Sequence, residues 1–137
     1  MRVRGDQVAP FFRAHEREAL RSLYDFSVVW HEQEHYFSAA ASDGTIAGAA
    51  AIRIAAALAH VERVTVAPAR RRGGIGRRLL DAAAEVANYY NCHKMSAMVP
   101  HRSAAQRFLE ACGYREEAVL PQHTFKLDIA VMRKFLL

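Results

Sequence analysis

Five arginines and three glycines crowd into one short stretch, Arg70-Arg71-Arg72-Gly73-Gly74-Ile75-Gly76-Arg77-Arg78. Glycines let a main chain turn tightly and approach a ligand, and a helix beginning there presents unpaired N–H groups and the positive end of its macrodipole. That is the chemistry of a pyrophosphate site. The arginines sharpen it, because a cation at a helix N-terminus is unfavourable by about 0.3 to 1 kcal/mol unless an anion is bound there. A surface turn with solvated arginines is the plain alternative, since short glycine motifs recur by chance. Two other phosphate loops fit poorly. A P-loop needs Lys and then Ser or Thr after its last glycine, whereas Arg77 and Arg78 follow Gly76. A dinucleotide fingerprint wants a third glycine where Leu79 stands, and more alternating strands and helices than the residues up to Leu137 provide.

A second pattern, His31-Glu32-Gln33-Glu34-His35, fits H-E-x-x-H. On a helix, two histidines one turn apart bind zinc, with the glutamate as general base of a hydrolase. No third ligand stands at the metzincin spacing, and a strand pattern follows at once, so zinc hydrolysis is a minor alternative and no metal is expected. Cys92 and Cys112 give neither a disulfide framework nor paired metal-ligand spacing and read as reduced core thiols.

The elements that position these groups follow from periodicity. Pro10 opens a first helix reaching to about Tyr24, with Phe12, Ala19, Leu20 and Leu23 on one face. Residues 36–41 and 45–56 read as two strands joined through Asp43-Gly44, a strong hairpin signal, while the alanine-rich run to Leu58 hides the next turn. From His60 to Val66 strict alternation puts His60, Glu62, Val64 and Val66 on one face and Val61, Arg63 and Thr65 on the other, until Pro68 ends the strand. After Gly76, residues Leu79, Leu80, Ala83, Val86, Ala87 and Tyr90 recur at helical spacing. Residues 95–99 are a short buried strand. Ser103 caps a further helix that presents Ala105, Phe108, Leu109 and Cys112 inward and ends at Gly113. Phe125, Leu127, Ile129 and Val131 then alternate with Lys126, Asp128, Ala130 and Met132, the period of a strand with one exposed face. The predicted fold class is α/β (α+β): a mixed, mostly antiparallel sheet flanked by helices.

A chain of 137 residues, 52% hydrophobic and 24% charged, suits one domain spanning residues 1–137. No apolar run is long enough to span a membrane and the N-terminus lacks a secretory h-region, so a cytoplasmic protein is expected. The net charge of +5 is concentrated at the glycine turn, without the motifs of nucleic-acid binding, so a local anion is a better partner than a nucleic acid or a membrane.

The run from Val64 to Leu80 resembles the acetyl-CoA motif of the GCN5-related N-acetyltransferases, V-x-P-x-x-R/Q-x-x-G-x-G/A, with Val66, Pro68, Arg71, Gly74 and Gly76 on its fixed points. The stretch Phe108-Leu109-Glu110-Ala111-Cys112-Gly113-Tyr114 is similar to the family's second signature, and the element order fits along nearly the whole chain, with only Met1 to Gly5 left for the family's first strand. The resemblance implies an N-acetyltransferase that passes the acetyl group of acetyl-CoA to a primary amine of a small molecule or peptide by direct attack. Arg71, Arg72, Gly73, Gly74, Ile75, Gly76 and Arg77 would hold the pyrophosphate, and Val64, Thr65 and Val66 would pair with the pantetheine arm. His60, at the position of the base in histone-acetylating members, and Glu62, on the same strand, are the candidate catalytic residues, acting directly or through a water. In the loop that walls the family's acceptor site, Glu32 and Glu34 would attract a cationic amine between the apolar walls of Trp30 and Tyr36. Leu109 replaces the tyrosine that often protonates the leaving thiolate, which leaves a coenzyme A-binding module with little catalysis as the alternative. A homodimer is compatible with this reading.

Overall fold

The computed structural model describes residues 1–28 and 30–136. They fall into two compact units, Met1–Trp30 and His31–Leu137. The first unit carries one helix, α1 (Gly5–Tyr24), with no buried residue. Its start is set by a reciprocal cap: the Arg4 N–H donates to Gln7 Oε1 at 2.9 Å and the Gln7 N–H to the Arg4 carbonyl at 3.1 Å. The helix therefore begins before Pro10, which lies inside it, and residues 1–4 form no strand. The expectation for both is corrected. Proline this near the N-terminus deprives only one carbonyl, that of Asp6, of its helical donor.

The second unit is a six-stranded sheet in the order β1-β2-β3-β4-β6-β5. Its strands are β1 (Gln33–Ala40), β2 (Ile46–Ala55), β3 (Leu58–Val66), β4 (Lys94–Pro100), β5 (Arg115–Thr124) and β6 (Leu127–Phe135), with helices α2 (Ile75–Tyr89) and α3 (Ala104–Ala111). All neighbours are antiparallel except β3 and β4, which are parallel because α2 crosses between them. The β1–β2 turn follows its sequence signal: Gly44 has φ 86°, and Asp43 Oδ1 accepts from the Thr45 N–H and hydroxyl. The next turn is made by Ala56 and Ala57, both at positive φ, with none of the residues that normally announce one.

The core lies between the sheet and the inner faces of α2 and α3. Leu80, Ala83 and Ala87 of α2 and Leu109 of α3 meet Ile52, Ile54, Ala59, Val61, Met95, Ala97, Ala130 and Met132 from the sheet. Met95 and Met132, both at 0% exposure, are among its largest fully buried side chains, and small alanines fill the rest. At the far edge the sequence reading needs three corrections. It assigned no strand before Phe125, yet β5 is formed; as an edge strand exposed along nearly its whole length, it tolerates Pro121 and two adjacent glutamates, which mask its pattern. Phe125 is not in a strand but sits with Lys126 in the β5–β6 turn, both at positive φ. Ala130 and Met132, expected outside, face the core instead. No helix among the described residues is long and apolar enough to cross a membrane.

Candidate functional site

Parallel pairing between β3 and β4 is brief: Leu58, Ala59 and His60 match Lys94, Met95 and Ser96, and there it stops. Beyond that point β3 continues to Val66 and β4 to Pro100, so the β4-facing main chain of Val64–Val66 is left without a strand partner. A cavity of about 840 Å³ opens along it, within the range of small-molecule sites. Val64, Thr65 and Val66 form one wall, Arg71, Arg72, Gly74, Ile75, Gly76 and Arg77 the end, and Ala104, Ala105, Phe108 and Ala111 of α3 the other wall. Nine of the ten residues expected to bind the cofactor thus line one space; Gly73 does not.

The turn at the end of this cavity gathers unpaired main-chain N–H groups and arginines. After a short 3-10 turn (Pro68–Arg70) the chain takes positive φ at Arg72 (68°) and Gly74 (81°), and α2 starts with no side-chain cap. The Arg78 N–H reaches the Gly74 carbonyl at 3.0 Å, so the N–H groups of Ile75, Gly76 and Arg77 have no acceptor within the helix. Two arginines have structural tasks as well. Arg71 Nε donates to the Val66 carbonyl at 3.1 Å, and the Arg77 guanidinium donates to the Ala111 carbonyl, tying the start of α2 to the end of α3. Gly76 serves close approach: a Cβ there would lie 2.8 Å from Phe108 Cζ.

On the opposite face of the sheet the alternation expected along β3 breaks. Ala51 pairs with Arg63 and Ile52 with Val61, which leaves Glu62 as an extra, bulged residue. Past it the faces exchange. Val64 packs on the core with Ala59 and Val61, and Val66 lies 3.7 Å from where a Gly76 Cβ would stand, whereas His60, Arg63 and Thr65 look away from α2. The grouping of His60 with Val64 and Val66 is therefore corrected. Both candidate catalytic residues sit beside Arg53. Glu62 Oε1 is 3.3 Å from Arg53 Nε, and His60 is the register partner of Arg53 on β2 and of Ser96 on β4, its Nδ1 3.0 Å from Ser96 Oγ. Burial holds the His60 pKa below its ordinary value, Glu62 opposing that shift and Arg53 reinforcing it.

Of the residues expected at an acceptor site, Glu34 and Tyr36 lie on β1, not in a loop, and the Tyr36 hydroxyl donates to Glu34 Oε2 at 2.6 Å. With Ala51, Ile52, Glu62 and Arg63 they line a cavity of about 360 Å³. Glu32 precedes the strand and stands 3.6 Å from Arg53. Trp30 belongs to the first unit, edge-on to Tyr24 at 6.3 Å. The zinc alternative loses its geometry: His35 is a strand residue bonded to Gln33 and stacked near Tyr90, so the helix that the motif needs is not formed, and no metal-ligating cluster exists among the described residues. Leu109 is 4% exposed within the core and offers no proton. The sequence reading missed Ala104, Ala111, Arg53 and Ser96. Small residues on α3 were the one signal for the first two; Arg53 and Ser96 meet His60 only through the sheet.

A model of the acetyltransferase (GNAT) family matches residues 2–114. The chain belongs to this family. An acetyltransferase from Bacillus cereus shares the fold at a TM-score of 0.74 and 18% identity, with 98% of this chain and 96% of that one covered. The spermidine N-acetyltransferase chimera from Vibrio cholerae and hSSAT aligns at a TM-score of 0.66 and 19% identity over 98% of this chain and 81% of that one. A candidate streptothricin acetyltransferase of Bacillus anthracis, solved in complex with acetyl coenzyme A, aligns at 0.70 and 19% identity over 74% and 62%. At these identities the likeness is one of fold. No curated protein matches the chain. As a GNAT member it is an acyltransferase, and acetyl-CoA is the acetyl donor of its family.

Proposed function

We propose that this GNAT chain, as one domain, transfers the acetyl group of acetyl-CoA to a primary amine of a small molecule or peptide by direct attack. The observation that carries this is the cavity between β3 and α3, closed at one end by the cationic glycine turn and running along the main chain of Val64–Val66, which lies beyond the last β3–β4 register pair, His60 with Ser96. A phosphorylated, extended donor fits that shape. The free N–H groups at the start of α2 receive its pyrophosphate, Arg72 and Arg70 add charge, and Val64–Val66 hydrogen-bond its amide arm as an added strand would. The family match crosses both compact units, which supports reading them as one domain.

The acceptor approaches from the other face, where Glu34, Tyr36, Glu62 and Arg63 frame the smaller cavity. A primary ammonium has a pKa near 10, so it must lose a proton before it attacks. His60, whose lowered pKa favours the neutral ring, takes that proton, and Glu62 holds the ammonium by charge or takes the proton in its place. The bulge at Glu62 leaves main chain outside the β2–β3 ladder beside these groups, a place for N–H donors to the oxyanion. Neighbours named as a spermidine N-acetyltransferase chimera and a candidate streptothricin acetyltransferase support a cationic amine. The buried Leu109 favours a second reading, a coenzyme A-binding module with little catalysis.

Two measurements on the purified chain separate these. Acetyl-CoA should raise the melting temperature, and a panel of polyamines, aminoglycosides and peptides should include one that releases free thiol from it. Stabilisation without thiol release for any amine selects the second reading; no stabilisation removes both.

A further inference from the structure

Ser96 is 9% exposed, set between Met95 and Ala97 at 0% and 3%. Both neighbours pack into the core from the other face of β4, so the hydroxyl serves no apolar packing there. It lies at the last register pair of the parallel β3–β4 ladder, opposite His60, and its Oγ is 3.0 Å from His60 Nδ1. A base at this vertex must present an unprotonated nitrogen to the acceptor. Neutral imidazole has one N–H, and the partner of that N–H decides which nitrogen stays free.

We propose that Ser96 is a positioning residue for His60: its oxygen accepts from Nδ1–H, which leaves Nε2 unprotonated and directed away from β4 for the acceptor amine. The proposal rests on His60 being the base. Proton balance is simple. The ammonium gives one proton to Nε2, the Nδ1–H stays in place throughout, and the imidazolium later returns its proton to solvent or to the leaving thiolate. Ser96 therefore holds the ring and exchanges no proton. Its bond becomes charge-assisted, and stronger, once the ring is protonated. The charged groups around the ring are Arg53 on β2 and Glu62 on β3, and Arg133 on β6 is the register partner of Ser96.

The test joins a spectrum to a pH profile, on the full chain. Nitrogen-15 histidine shifts read the tautomer without substrate: His60 is Nδ1–H in the wild type and in Ser96→Thr, and moves toward Nε2–H in Ser96→Ala. With acetyl-CoA and an amine from the panel, Ser96→Ala lowers kcat about tenfold, well short of the roughly 10⁴-fold loss when a carboxylate partner is replaced. Its acid limb moves down by about half to one pH unit, because the imidazolium loses its acceptor, and KM for acetyl-CoA is unchanged. Ser96→Thr restores both. An Nε2–H tautomer in the wild type overturns the proposal without any variant, as do superimposable limbs and plateaus for wild type and Ser96→Ala. If His60→Ala keeps the wild-type limb, the base is not His60, and Ser96 loses its role with it.

Discussion

Replacing Gly76 by alanine tests the close approach on which the cavity depends. The new Cβ would stand 2.8 Å from Phe108 Cζ and 3.0 Å from Cε1, with Val66 Cγ2 already at 3.7 Å on its other side. Ordinary carbon contacts lie at about 3.5 to 4.0 Å, so the Phe108 ring has to move by roughly 0.7 to 1.2 Å. Overpacking of this kind costs about 1 to 3 kcal/mol, and replacing a helical glycine by alanine returns about 1 kcal/mol. The net loss is about 0 to 2 kcal/mol, or a few degrees of melting temperature for a chain of this size. The larger effect falls on binding. Phe108 is part of the cavity wall, so a displaced ring narrows the space, and KM for acetyl-CoA should rise about tenfold, equivalent to about 1.4 kcal/mol. A double-mutant cycle isolates the cause. In a Phe108→Leu background the ring is gone, and Gly76→Ala should then change KM little, a coupling of at least about 0.5 kcal/mol. If Gly76→Ala raises KM by the same factor with and without the ring, the contact is not what makes glycine necessary.

The pH dependence has a defined sign. With His60 held below its ordinary value, the acid limb of kcat falls below pH 6.5; Arg53→Ala removes a field that lowers it and moves the limb up, and Glu62→Gln moves it down, as initial rates across pH will show. The same shift makes the unfolded chain the better proton acceptor, so melting temperature declines as pH falls through the window just below 6.5, and His60→Gln flattens that decline. At Gly74, φ is 81° and a Cβ meets nothing within 4 Å, so Gly74→Ala carries only backbone strain of about 1 to 2 kcal/mol and leaves KM for acetyl-CoA near wild type. Gly74→Glu adds a negative charge to an anion site and should raise KM more than tenfold beyond that, and equal KM values for the two variants would reject the anion site. Tyr114→Phe removes only a 3.5 Å bond from the hydroxyl to Met95 Sδ and should lower stability by about 1 kcal/mol or less, by thermal melt.

Local chemistry made much of this molecule legible from its residues alone. Asp43-Gly44 determined a hairpin, Ser103 and Gly113 bounded α3, the leucine and alanine spacing after Gly76 determined α2, and the glycine-arginine turn marked one end of the cavity. In each case the physical cause lies within a few residues: a cap, a left-handed turn, a helical period. Only the tertiary structure decided the rest. Ala56 and Ala57 turn because β2 and β3 pair, not because alanine favours positive φ. The edge strand β5 exists because β6 offers it a ladder, and the bulge at Glu62 exists only relative to β2. It is that bulge which sends Val64 toward the helices while His60 faces the other side of the sheet. Ser96 reached His60 from a different strand through the one parallel pairing in the sheet. A residue's own pattern reports its backbone and its burial, whereas a contact across strands depends on register, which is set by the packing of the whole sheet.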